Sequence, residues 1–183
     1  MTFKLSLAFV TATVIGSTAA MAENPMVGGA PMFENKTIVE NAVNSEDHTT
    51  LVAAVKAAGL VKTLNSEGPF TVFAPVNAAF GALPDGTVDT LLKPENKAML
   101  QKVLTAHVVA GDWSAAAIAA QANNSPDGFY HFNAVSGDAL SAQVKGGNVY
   151  IFDESGNAAR VTIADVDQSN GVIHVVNKVL LPK

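Results

Sequence analysis

The chain has 183 residues, no cysteine, and 16 acidic against 11 basic side chains, for a formal charge of −5. Without a thiol it cannot form a disulfide framework or a thiolate metal site, nor use cysteine catalysis. Its acids are scattered through a mildly acidic chain, which argues against nucleic acid or an anionic membrane surface as partner.

The first residues follow the pattern of an export signal. Lys4 precedes an apolar run over residues 5–15, and Ala20-Met21-Ala22 offers a small-x-small cleavage site. The run is too short to span a bilayer. Cleavage after Ala22 leaves a chain the size of one domain, which can bury a core without disulfides or metal. Export without cysteine suggests a bacterial periplasm or exterior. Residues 23–34 carry two prolines and Gly28-Gly29 and read as a flexible leader ahead of a domain over 35–183.

Helical signals come next. Thr37 and Glu40 have capping-box spacing ahead of Ile38, Val39, Ala42 and Val43. Asp47 is placed to cap a second helix, with Leu51, Val55 and Ala58 on one face and Gly59-Leu60 as its stop. A further turn, Val61–Leu64, precedes the Gly68-Pro69 break. Phe70-Thr71-Val72-Phe73-Ala74 is a strand ended by Pro75. Asn77 should cap a short helix holding Ala78, Ala79 and Phe80. Thr87 or Asp89 begins another helix, and Pro94 opens one whose buried stripe is Met99, Leu100, Val103 and Leu104. His107-Val108-Val109 turns strand-like, Ser114 caps an Ala-rich helix, and residues 123–128 form a polar loop.

After Gly128 the period changes. Residues 129–135, 140–144, 149–152, 161–166 and 172–176 are short β-type runs separated by glycine-bearing turns at hairpin spacing. Helices, one early strand, more helices and then a meander make an α+β pattern. The strand at 70–74 has no sequence neighbour, so the apolar last strand, entered through Asn170-Gly171, is its expected partner.

His107, His131 and His174 fall in three strand-like segments, and their convergence would make a metal or catalytic site. No HxH or HExxH spacing supports that, and His107 and His174 read instead as neutral core imidazoles bonded to backbone. His131 is read as exposed or part of an interaction face, and His48 as a surface residue. No GxSxG elbow is present. Asp165 and Asp167 alternate along a strand and read as a solvated edge without calcium-loop spacing. No catalytic residue, metal or cofactor is assigned. Asn77 and Asn170 stand out as structural polar residues.

Thr71-Val72-Phe73-Ala74-Pro75-Val76-Asn77-Ala78-Ala79-Phe80 resembles the first signature box of the fasciclin domain family. The run from Asn170-Gly171-Val172-Ile173-His174 to Pro182 is similar to the second box, and residues 104–111 to the family's central segment around His107. The resemblance covers residues 34–182 and carries Thr71, Phe73, Pro75, Asn77, Phe80, His107, Asn170, Gly171 and His174 as structural signature. It implies a wedge-shaped, mainly antiparallel β-sandwich with several packed helices, the two boxes forming neighbouring central strands. It also implies a non-catalytic role in cell-surface or extracellular adhesion, with a protein or matrix macromolecule as partner.

Two positions depart from the family pattern: Val76 lacks a hydroxyl and Ala106 an aromatic ring. Asp165-Val166 stand where some animal members carry an integrin-reading pair, but Asp167 follows where an apolar residue is expected. The binding face is expected on loop 123–130 and strand 163–167, with Tyr130, His131, Asp165 and Val166. The expected product is a monomer that does not insert in membrane once its signal is removed. The alternative is a periplasmic small-molecule or polysaccharide binder, which needs a concave pocket.

Overall fold

The computed structural model describes residues 24–183. The export signal read at residues 1–22 lies outside them.

The segment 24–34 is not the flexible leader that its composition suggests. Met26–Val27 (β1) and Ala30–Pro31 (β2) form a hairpin around Gly28-Gly29, whose positive φ values of 56° and 76° suit a two-residue turn. Val27, Ala30 and Met32 are buried in the main core, and Gly28 C=O accepts the Glu46 N–H at 3.0 Å. Gly-Gly between apolar residues is here a turn between strands rather than a linker.

The helical layer follows much as its caps dictate. Helix α1 (Ile38–Ala42) starts at a complete Thr37–Glu40 capping box. A 3-10 turn, Glu46–His48, leads into α2 (Thr49–Ala58), which ends on Gly59 at φ 74°, and α3 (Val61–Leu64) follows. After strand β3 (Phe70–Pro75) come α4 (Asn77–Gly81), α5 (Thr87–Leu91), the 3-10 turn Pro94–Asn96 and α6 (Lys97–Thr105). On α6, Leu100, Val103 and Leu104 are buried as expected; Met99 is 59% exposed and leaves the stripe.

Strand β4 (Val108–Ala110) and α7 (Ala115–Asn124) precede the meander β5 (Tyr130–Asn133), β6 (Ala139–Lys145), β7 (Asn148–Phe152), β8 (Ala158–Gln168) and β9 (Gly171–Val176). The sheet order is β4-β3-β9-β8-β7-β6-β5. Each neighbouring pair is antiparallel except β3 with β9, which run parallel with Phe70 opposite Gly171 and Pro75 opposite Val176. The Val135 N–H donates to Val108 C=O at 2.7 Å, so the two ends of the sheet nearly meet. The fold is therefore α+β, and the pairing inferred between the early and last strands is present.

The central pair is apolar on both faces because it separates two cores. Val72, Ala74, Ile173 and Val175 face the helical layer, whereas Phe73 and Val176 point into the sheet's curl with Ile118, Leu140 and Ile151.

Asn77 caps a helix, but not its own. Its Oδ1 accepts the Thr50 N–H (3.0 Å) and the Thr49 hydroxyl (3.2 Å) at the start of α2, while Nδ2 donates to Glu46 C=O (2.8 Å). Asp47 therefore has no capping bond to make. Asn77→Ala is expected to cost about 1 kcal/mol and lower the calorimetric midpoint by about 2–4 °C. An unchanged midpoint would mean that water caps α2 equally well.

Candidate functional site

The two signature boxes and the segment between them meet in one hydrogen-bonded unit. The fully buried Thr71 hydroxyl donates to Gly111 C=O (2.8 Å) and accepts the Trp113 N–H (2.9 Å). Gly111 takes φ 105°, and a Cβ there would lie 2.7 Å from the Trp113 indole nitrogen, so this turn admits no side chain. Trp113 C=O lies 2.7 Å from His174 Nε2, and His174 Nδ1 accepts the Asp165 N–H at 3.2 Å. One nitrogen accepts from an amide and the other faces a carbonyl, which fixes the neutral Nε2–H tautomer. Burial holds this imidazole below its ordinary pKa, against the Trp113 carbonyl and nearby acids that favour its charge. The ring stacks on Phe73, with centroids 5.7 Å apart.

Asp165 completes the unit. It sits at φ 55° in an irregular stretch of β8, and its Oδ1 accepts the N–H of Ala115, the first residue of α7 (2.7 Å). Ser114 Oγ accepts from Ala117 beside it, so the α7 N-terminus has two side-chain caps.

The other histidines are separately engaged. His107 donates from Nδ1 to Val103 C=O (2.8 Å), and its Nε2 accepts the Leu180 N–H (2.8 Å). Burial pushes its pKa down to about 4. His48 is not on the surface: it is 3% exposed under the N-terminal hairpin, with Nδ1 2.8 Å from Ser45 Oγ. Its Nε2 has no partner at hydrogen-bond geometry, although the Ala74 backbone lies close enough to favour protonation against the stronger effect of burial. Among the described residues, no three His, Cys, Asp or Glu side chains are grouped to hold a metal.

The four residues expected to form a binding face do not share one. Val166 is fully buried in the helical core and cannot contact a partner. Ile163 and Val166 both pack on that core, three positions apart, because the β8 irregularity breaks plain alternation. Tyr130 is half-buried and lies in an aromatic row with Trp113 (5.5 Å) and Phe132 (5.2 Å), the latter 6.2 Å from Phe73.

His131, the next residue along the strand, points to the opposite, outer face. Its side chain is 65% exposed, stacks on Phe129 (6.1 Å) and meets Asp127 Oδ2 at 2.8 Å. Phe129 also meets Phe152 edge-on at 5.6 Å. The His131 bond, the Phe129 amide and the Ser125 hydroxyl together hold the Asp127 carboxyl well below the usual carboxylate range. Phe129 lies in the loop 123–130 expected to carry the binding face but is not among the residues named for it, and Phe152 had no place in the sequence reading of the site. The Phe129/His131 alternation hints at one of them, but Phe152 joins only through cross-strand register.

The Fasciclin domain profile matches residues 46–182. The chain belongs to the fasciclin family. A solved structure of a FAS1 domain pair from the insect cell adhesion molecule Fasciclin I superposes with a TM-score of 0.70 at 17% identity, covering 80% of this chain and 51% of that one. The fasciclin chain thus spans about half of that structure. It is 49% identical over 171 residues to protein sll1483 of Synechocystis, covering 90% of this chain and 87% of the relative. It is 30% identical over 174 residues to the cell surface glycolipoprotein MPB83 of Mycobacterium bovis, covering 91% of this chain and 64% of the relative. Among the described residues no helix is long and apolar enough to cross a membrane.

Proposed function

We propose that this fasciclin domain is an exported, non-catalytic interaction module that binds a protein or matrix macromolecule at a cell surface. The outer-face cluster of Phe129, His131 and Phe152, held by Asp127, carries the reading. It is an aromatic patch at the sheet's edge strand with a polar rim, the composition that anchors protein interfaces. The ring nitrogens of His107 and His174, by contrast, are used by backbone partners. The names of MPB83 and of the insect adhesion molecule favour a surface location and an adhesive role.

The test is saturable binding of the purified protein to envelope fragments from its source cells. Phe129→Ser with His131→Ser should weaken that binding by at least roughly tenfold, as loss of an anchor does, at an unchanged melting midpoint. Equal binding by the double variant would remove the patch from the interface. If thermal shift showed a response to sugars or ions while envelope binding was nil, the domain would be a periplasmic small-molecule or polysaccharide binder.

A further inference from the structure

An apolar gap of about 50 Å³ lies between the helical layer and the central strands. Its floor is Val72, Ala74, Val108 and Ile173, all buried, and its rim is Val39, Val52, Lys56 and Val61, half-buried or exposed. His107 also borders it, but both ring nitrogens are engaged elsewhere, so the imidazole presents carbon. A water molecule needs two to four polar partners to reside in a protein interior, and these walls supply almost none. Only an apolar group fills such a space favourably. The rim, however, carries a cation: Lys56 forms no ion pair among the described residues, and its stem lines the opening.

Apolar floor and cationic rim together specify an apolar chain with an anionic head. We propose that the gap is a binding site for an alkyl carboxylate, a fatty acid whose chain end enters between α1 and α2 toward Ile173 while its carboxylate meets Lys56. The gap itself holds the last methylenes, and the rest of the chain lies along Val39 and Val52. This site is separate from the Phe129–His131 surface and goes beyond the interaction role.

The test uses the signal-free chain with hexanoate, octanoate, decanoate and decanol, each below its micellar concentration, followed by calorimetry and thermal shift. The carboxylates should raise the melting midpoint, and affinity should tighten roughly fourfold per added methylene until the gap is full, then level off. Val52→Phe, which places a ring at the rim, should abolish binding. Lys56→Met on the exposed side of α2 should weaken the carboxylates by roughly two- to fivefold and leave decanol unchanged. Absence of any shift would make the gap a packing defect only. Affinity that rises with length without a plateau, or binding unchanged in folded Val52→Phe, would mean surface adsorption and overturn the site. Decanoate bound no better in the wild type than in Lys56→Met would overturn the head-group assignment.

Discussion

Asn170→Ala is expected to lower the unfolding free energy by about 3 kcal/mol, a large share of a typical domain's 5–15 kcal/mol. The side chain, 8% exposed, ties three elements together. Its Oδ1 accepts the N–H of Ile38 (3.0 Å), a first-turn amide of α1 that has no partner within its helix. Its Nδ2 donates to Leu64 C=O at the end of α3 (2.7 Å) and to Ser66 C=O (3.2 Å). Alanine leaves the buried amide and carbonyl without partners, at about 1–3 kcal/mol each; Ser66 is exposed and can turn to water.

The backbone around Asn170 has no room to adjust. A Cβ on Gly68 would lie 2.1 Å from Asn170 C=O, and one on Gly171, at φ 150°, 1.9 Å from Phe70 C=O. Asn170→Asp keeps the acceptor for Ile38 but turns an oxygen toward the Leu64 carbonyl, so it should rescue little. Urea unfolding reads the result as a lower midpoint at unchanged slope. A loss below about 1 kcal/mol would mean that Asn170 shapes only its turn.

What was legible in the sequence was the part written in local chemistry and in two-faced apolar runs. A strand with no neighbour and no polar face had to lie inside, so the partnership of residues 70–74 with the last strand was readable, as were the Thr37 and Ser114 caps. What failed depends on side chains that reach across the fold. Asn77 opens a helix, but its acceptor serves Thr50, 27 positions earlier. His48 sits among acids and threonines, yet a hairpin that looked like a linker buries it. Val166 looked solvent-facing because the bulge that turns it inward, with Asp165 at φ 55°, leaves no signal in residue type.

The second large effect is acid lability well above the carboxylate range. Burial holds His107 at about 4 against an ordinary 6.5, and it also lowers His174 and His48. Above pH 6.5 both native and unfolded chains keep these rings neutral, so no stability is lost. As pH falls below 6.5, the unfolded chain takes up protons that the native core refuses, and stability declines. For His107 the decline runs to about pH 4, where the native ring also protonates, and it amounts to about 3 kcal/mol. His174 and His48 add losses of the same sign.

Asp127 and Glu40 contribute in a different window. Their lowered pKa values stabilise the fold above the unfolded carboxylate pKa and lose that effect as pH falls further, and because both are exposed the loss is small. Urea titrations at pH 7.5 and 4.5 should therefore differ by at least the His107 share. His107→Leu should reduce stability at pH 7.5, since Leu180 N–H loses its acceptor. It should also flatten the pH dependence by that same share. A wild type equally stable at both pH values, or a slope unchanged in His107→Leu, would show that the native core accepts the proton without cost. The histidines of the central segment and of the second signature box would then be tolerant of charge, and their hydrogen bonds to Leu180, Trp113 and Asp165 could not be what orders the central strands.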